Sequence, residues 1–249
     1  MFDIHSHILP GLDDGARSME ESLQLLRRAA EQGESSVIAT PHYSVERPTD
    51  PGAVCAKLAE LRQAVVQDEA RRGEKQTVFP PDFQLFSGNE VLYFDSIVEH
   101  LLQRRILTLM GSHFVLIEFY PRESYAAMLR AVRKLRYAGY YPVIAHAERF
   151  SALYEAGNGK GLEGLRASGA YIQLSTAPVG GFFLRRETRF IEEALRSGQA
   201  QFLGTDMHRI DTRPPELGRA VRWIRKHCGN AEALLTENAE RMKRDEDFL

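Results

Sequence analysis

Residues 1–15 read MFDIHSHILPGLDDG. Phe2, Asp3 and Ile4 form a short run with strand character that ends at His5, and His7 follows two residues on. On an extended backbone residues i and i+2 point to the same side, so His5 and His7 present two imidazoles to one point, as a shared metal ion requires. Asp13 and Asp14 follow in a glycine-flanked turn and put carboxylate oxygen close by. Taken alone, the stretch also reads as two surface histidines near the N-terminus. The metal reading gains its force from the later strand candidates, most of which also end in a ligand-type residue.

Outward from there, Ser18-Met-Glu-Glu21 is a capping box that opens a helix with an apolar stripe of Leu23, Leu25, Leu26, Ala29 and Ala30, closed by Gly33. A buried strand over 36–40 stops at Pro41-His42-Tyr43. Asp50-Pro51 starts a helix running to about residue 72, followed by a Pro-broken connection with a short β segment at 77–79. The strand over 83–87 leads into Gly88-Asn89-Glu90, and Asp95 caps a short helix to about residue 105. FVLIEF at 114–119 is the clearest buried strand and carries Glu118. A helix over 124–139 precedes a strand over 141–145 that ends at His146-Ala-Glu-Arg149. A short helix over 162–168, a strand over 171–175, an apolar loop over 177–184 and a helix over 186–197 follow. The strand over 201–204 ends at Thr205-Asp206-Met-His208, and helices over 215–227 and 231–242 complete the chain.

About seven strands thus alternate with helices, which implies parallel strands with crossover helices. The ligand-type residues His5, His7, His42, Glu90, Glu118, His146, Asp206 and His208 come from nearly every strand end. A closed α/β barrel gathers them on one face, whereas a doubly wound open sheet draws its site from fewer strand ends. The expected fold is therefore an α/β barrel with the site at the C-terminal ends of the strands, in a length that fits one large domain or two small ones. With 249 residues the chain can bury a sizeable core, and 27% charged residues of mixed sign with net charge −2 give no global pull towards nucleic acid or anionic membrane. No apolar stretch reaches membrane-span length, and the His-x-His occupies the place where a basic leader would sit. Cys55 and Cys228 have no metal-like spacing and read as buried or half-buried free thiols, which suits a reducing cytosol.

HSH at 5–7, TPHY at 40–43, GNE at 88–90, IEF at 117–119, AHAER at 145–149 and GTDMH at 204–208, in this order, resemble the PHP family of metal-dependent phosphoesterases. Within it they are most similar to the protein-tyrosine phosphatases of bacterial capsule and exopolysaccharide clusters, and the likeness extends through ENAERM at 237–242. The resemblance implies a distorted seven-stranded, TIM-like barrel holding three divalent metals, most often manganese, with iron or zinc suiting the same donors. It implies one ion on His5, His7, Glu90 and Asp206, a second on Glu90, Glu118 and His146, and a third on Asp14, His42 and His208. Arg149 and Arg213 are similar to the family's phosphate-binding arginines. YSVER at 43–47 carries less basic charge than some relatives, which touches substrate preference rather than the metal site. The substrate implied is a phosphotyrosine protein, the tail of a bacterial tyrosine kinase.

The residues support this chemistry in their own right. Imidazole and carboxylate ligands without thiolate suit catalytic manganese, iron or zinc and not a structural zinc site. Two divalent ions only neutralise the carboxylates of Asp14, Glu90, Glu118 and Asp206, while three leave a positive surplus for a phosphate dianion. A hydroxide bridging two metals is then the expected in-line nucleophile, because metals lower the pKa of bound water from about 15.7 towards 7. The arginine forks would grip the non-bridging oxygens. A tyrosine leaving group, of pKa about 10, needs little protonation, which His208 or a metal-bound water would supply.

The plainer readings are an ion pair with Glu148 or Glu118 for Arg149, a surface-loop residue for Arg213, and Asp13 in place of Asp14. His100, His113, His227 and Trp223 read as structural, and Glu148 as supporting or solvated. Gly180 to Phe183 read either as a staple on the barrel or as a wall for an aromatic ring. A thiol phosphatase is excluded, because the residue six positions after each cysteine is a leucine, Leu61 or Leu234, where an arginine is needed. A histidinol-phosphate-type phosphomonoesterase is the nearest alternative. A nuclease lacks its basic, aromatic-interleaved stripe, and a non-catalytic module would have lost ligands.

Overall fold

The computed structural model describes residues 1–72, 77–155, 160–181 and 186–249. Strand β1 (Phe2–Ser6) is buried along its whole length and pairs in parallel with β2 (Ser36–Ala39), which pairs in turn with β4 (Gln84–Ser87). The second sheet runs in the order β3 (His42–Tyr43), β5 (Glu90–Leu92), β6 (Phe114–Glu118), β7 (Tyr141–Ile144), β8 (Tyr171–Ser175) and β9 (Phe202–Gly204), again all parallel. A parallel bridge between Ser6 and Met207 joins the two ends. Around it His7 N donates to Met207 O at 2.8 Å and Asp206 N donates to His5 O at 2.9 Å. The result is an α/β fold whose parallel strands curl into a half-barrel.

Two short breaks account for nine strand segments where about seven strands were expected. Thr40 and Pro41 separate β2 from β3, and Gly88 and Asn89 separate β4 from β5. Proline brings no ladder donor. At Gly88 a Cβ would sit 2.7 Å from Leu109 Cδ2 and 3.4 Å from Leu109 Cα, so any larger residue would have to push the Leu109 side chain aside. Asn89 braces the step: its Nδ2 donates to Pro41 O at 2.9 Å and its Oδ1 accepts from Leu107 N at 2.8 Å.

Helices cover the outside. Helix α1 (Met19–Ala30) starts as expected, with Ser18 accepting from Glu21 N at 3.2 Å, but the Glu21 carboxylate reaches back to Arg17 N at 2.9 Å, one residue beyond the box. Helix α2 (Pro51–Arg72) is capped by Asp50, which accepts from Ala53 N at 2.9 Å. Both share a core with β2 and β4 through Leu25, Leu26, Ala29, Val37, Val54, Leu58, Leu61 and Leu85. Val54, Leu58 and Leu61 form the buried face of α2, so Cys55 turns outward and is exposed, not buried or half-buried as expected; Cys228 is buried. Helix α3 (Ile97–Leu102) is shorter than expected and begins after Ser96 rather than Asp95, with no side-chain cap. Helix α4 (Tyr125–Tyr137) keeps its Ser124 cap. The unexpected α5 (Ser151–Glu155) leads to α6 (Lys160–Ala167). Helices α7 (Arg186–Arg196) and α8 (Gly218–His227) follow, and a π-helical turn over Ala233–Glu237 runs into α9 (Asn238–Lys243). Residues 77–79 form no strand.

Inside the curl, Phe2, Ile4, Ile38, Phe114, Leu116, Val143, Tyr171 and Phe202 make one apolar plug contributed by six strands. The polar residues are left to the opposite end. His100, His113 and His227 are occupied elsewhere, by the Tyr43 hydroxyl, by Asp245 and by the Trp223 carbonyl. Trp223 is half-buried beneath the Arg196 guanidinium. Among the described residues no helix is long and apolar enough to cross a membrane.

Candidate metal centre

His5 and His7 converge as the spacing requires: their Nε2 atoms lie 3.2 Å apart. The same two nitrogens are 3.1 and 3.2 Å from Glu90 Oε2, and 3.5 and 3.4 Å from Asp206 Oδ1. The register between β3 and β5 sets His42 directly beside Glu90, with His42 Nδ1 3.0 Å from Glu90 Oε2. Glu118, at the end of β6, comes within 3.6 Å of His42 Nδ1 and 3.5 Å of His146 Nε2. His146 Nε2 also lies 2.7 Å from Glu90 Oε1. Asp14 Oδ1 stands 3.5 Å from both His42 Nε2 and His208 Nε2.

These atoms form three overlapping groups, each with its donor atoms within 4.8 Å of one another: His5, His7, Glu90 and Asp206; His42, Glu90 and Glu118; and His7, Asp14, His42 and His208. The first matches the set implied by the resemblance. The second has His42 where His146 was implied, and the third adds His7. The donor chemistry fits divalent ions. Glu90 Oε2 is buried and has three imidazole nitrogens within 3.2 Å, yet it accepts no hydrogen bond among the described residues. A buried oxygen approached from several sides without a proper donor is a place for a cation rather than for a proton.

Charges follow the same geometry. Burial alone would push the Glu90 carboxyl up, but His5, His146 and His42 hold it well below the carboxylate range. Burial likewise opposes ionisation of Asp206, which His5, His7 and Arg149 overcome. Against burial, Asp13, Asp206 and Glu90 raise His7, and Glu118 and Glu90 raise His146 to about 9. His208 goes the other way, down to about 4, through burial and then the charges of His7 and Arg213. Two residues of the cluster sit in left-handed backbone, His146 at φ 32° and Asp206 at φ 53°, a conformation non-glycine residues keep only when their surroundings enforce it.

Arg149 and Arg213 both reach Asp206 Oδ2, Arg149 Nη2 at 2.5 Å. The partner of Arg149 is therefore neither Glu148 nor Glu118. Arg213 Nη1 also donates to His208 Nε2 at 3.0 Å. Both arginines line a cavity of about 300 Å³ with Ser175, Thr205 and Thr212, while Asp14, His42 and Glu118 open onto one of about 450 Å³ with Leu12, Tyr43 and Arg47. Glu148 is buried and accepts from Ser175 N at 3.3 Å. Gly180, at φ 66°, packs on Arg219 and Trp223, whereas Phe182 and Phe183 lie outside the described residues.

Asp13, weighed in the sequence only as a substitute for Asp14, accepts from His7 Nδ1 at 2.7 Å, while Asp14 Oδ1 faces His42 and His208. One residue escaped the sequence reading. Gln173 lies fully buried beneath His5 and His146. A glutamine inside the apolar strand YIQLS was the available signal.

Residues 1–244 match the family described as capsular polysaccharide synthesis, CpsB/CapC. The tyrosine-protein phosphatase CpsB of Streptococcus pneumoniae is 31% identical over 260 residues, covering 99% of this chain and 99% of that protein. The tyrosine-protein phosphatase YwqE of Bacillus subtilis is 30% identical over 255 residues, covering 100% of this chain and 94% of that protein. A solved structure from work on YwqE and CpsB, described as unique metal-dependent tyrosine phosphatases, superposes with a TM-score of 0.86 at 28% identity, covering 100% of this chain and 96% of that one.

Proposed function

The chain belongs to the CpsB/CapC family of capsular polysaccharide synthesis, and from that premise we propose that it is a metal-dependent protein-tyrosine phosphatase whose substrate is the phosphotyrosine tail of a bacterial tyrosine kinase controlling capsule or exopolysaccharide synthesis. The observation that carries the reading is the ring of imidazoles and carboxylates around Glu90 with two guanidiniums at its rim. His5, His7, Glu90 and Asp206 would hold one divalent ion, Glu90, Glu118 and His146 a second, and Asp14, His42 and His208 a third, with manganese the first choice and iron or zinc compatible. Ions bound there supply Lewis acidity toward a phosphoryl oxygen and lower the pKa of nearby water.

The chain's own groups do the rest. Arg149 and Arg213, resting on one oxygen of Asp206, are placed to donate to the non-bridging oxygens of a phosphate, where the guanidinium fork fits two acceptors at once. His208 donates its Nδ1 proton to Asp206 O at 2.9 Å and is held neutral, so its Nε2 offers a lone pair. That supports a ligand role over proton donation to the leaving tyrosinate, which with a pKa of about 10 departs without a strong acid. Neither cysteine has an arginine six positions on, so the chemistry does not use a thiolate. We read β2 with β3, and β4 with β5, as interrupted staves of one seven-stranded barrel that forms a single PHP-type domain over 1–249 in the cytoplasm.

The test is turnover of a phosphotyrosine peptide by the manganese-loaded protein beside a phosphoserine peptide and histidinol phosphate. Phosphotyrosine is expected to be the preferred substrate. Chelation should abolish turnover and manganese restore it, while iodoacetamide should label the exposed Cys55 without loss of activity. Preference for histidinol phosphate would replace this reading with the small-molecule phosphomonoesterase.

A further inference from the structure

Each imidazole of the His-x-His pair has its second ring nitrogen held by a buried oxygen. Gln173, in β8 and fully buried, places Oε1 3.1 Å from His5 Nδ1 and 2.8 Å from His146 N. Asp13 places Oδ2 2.7 Å from His7 Nδ1 and 3.1 Å from His42 N. The two arrangements are the same device built twice: one acceptor oxygen, one side chain of the pair, and the backbone N–H of a ligand from a different strand. We propose that Gln173 and Asp13 are positioning residues that set the tautomer of His5 and His7 and tie the three metal positions together before any ion binds. The proposal rests on the metal reading given above.

The hydrogen positions follow from donor logic. A backbone N–H only donates, so the atom of Gln173 facing His146 N must be the amide oxygen. That oxygen has no hydrogen to give, so the bond to His5 requires the proton on His5 Nδ1. The His5 lone pair is thereby left on Nε2, the nitrogen that faces Glu90 Oε2 and His7 Nε2. The same reasoning applies to Asp13, since a carboxylate oxygen also only accepts. It puts the proton of His7 on Nδ1 and leaves Nε2 for the shared point. Outer partners of this kind fix the ring orientation of metal-binding histidines.

The surroundings are shaped for these contacts. A Cβ at Gly204 would lie 2.6 Å from His5 Cβ and 2.9 Å from Gln173 Nε2, so glycine is needed for the two side chains to meet. A Cβ at Gly15 would lie 2.0 Å from His7 O and 2.9 Å from Asp13 Oδ1, the oxygen that accepts from Gly15 N at 2.9 Å. Gln173 also anchors the left-handed backbone of His146 at φ 32°. Gln173 thus links a ligand of the first ion, His5, to one of the second, His146. Asp13 links a ligand of the first, His7, to one of the third, His42. The hubs differ in charge: Asp13 offers a carboxylate oxygen to His7, and Gln173 a neutral amide oxygen to His5.

The experiment measures manganese affinity and stoichiometry by calorimetry and elemental analysis on Gln173→Leu, Gln173→Glu and Asp13→Asn, with circular dichroism as the folding control. Gln173→Leu should weaken manganese binding about tenfold to hundredfold. Gln173→Glu keeps an oxygen that accepts both bonds and should bind close to the unsubstituted protein. Asp13→Asn should keep the geometry and lose the charge, giving a smaller drop. Equal affinity in folded Gln173→Leu, or equal losses in the Leu and Glu variants, overturns the proposal. Should Gln173→Leu fail to fold, nitrogen-15 NMR of the zinc-loaded, unsubstituted protein decides: Nδ1–H on both His5 and His7 supports the proposal, and metal on Nδ1 of either overturns it. None of these readouts uses phosphatase activity, so a protein that binds metal as described but turns over no phosphotyrosine would refute the function and leave this inference standing.

Discussion

Glu90 and Glu34 are buried to the same degree, each about 1% exposed, and they sit at opposite ends of the strands. Their fates are opposite too. Glu90 is ringed by His5, His7, His42 and His146 and is held ionised far below its ordinary range. Glu34, just before β2, has no donor on either carboxylate oxygen among the described residues. Burial, and then the neighbouring Asp3, push its carboxyl well above the ordinary range, with the Met1 ammonium pulling weakly the other way. Depth alone therefore does not set the state of a carboxylate. The cations gathered around it do: four imidazoles surround Glu90, and no side-chain donor reaches Glu34 among the described residues.

The sharpest way to break the contrast is at Glu90. Glu90→Gln removes the shared carboxylate of two ligand groups. Metal activation is worth several kcal/mol, so turnover should fall about a thousandfold or more, and elemental analysis should show lost metal. Full metal loading with near-normal turnover would mean the ring does not depend on Glu90. Next in size are the rim arginines. Arg149→Ala or Arg213→Ala each removes a charge-assisted contact of about 1.5–3 kcal/mol, so kcat/KM should drop about tenfold to hundredfold with metal content unchanged. An unaltered kcat/KM would make that arginine merely a partner of Asp206.

The smallest effect lies at the other end. The Glu34 carboxyl has a raised folded pKa, so its contribution to stability is fully present below its unfolded value of 4.5 and is lost as pH rises through the folded value. Glu34→Met removes that loss. The variant should gain about 1–3 kcal/mol over the unsubstituted protein at pH 8 and much less at pH 4, read as a Tm difference of about 2–4 °C per kcal/mol that widens with pH. A Tm difference independent of pH would mean Glu34 is neutralised or hydrated at all pH values.

Much of the ring was legible because strand geometry has a period of two and parallel strands end on one face. His5 with His7, and Asp206 with His208, follow from that alone. Asp14 was harder to separate from Asp13, since the choice depends on a turn whose geometry is fixed by Gly15 passing against His7 O, a tertiary contact. Gln173 was invisible for a similar reason: its partners lie 27 and 168 residues away in sequence. Strands β3 and β5 are only two and three residues long, too short for any periodicity to show. The break between β4 and β5 is braced by Asn89, which bonds Pro41 O and Leu107 N, long-range contacts that composition does not reveal. The site of Glu34 gave no signal either, because a lone glutamate before a strand is ordinarily solvated.

The bridge between Ser6 and Met207 has a consequence for the order of events during synthesis. His5 and His7 leave the ribosome long before Asp206 and His208 and must wait for them. Loop-closure entropy makes such a distant pairing a late step. A chain that ends before Asp206 lacks one member of the group formed by His5, His7, Glu90 and Asp206. The assembled site is thereby a record that two distant segments of the chain have met.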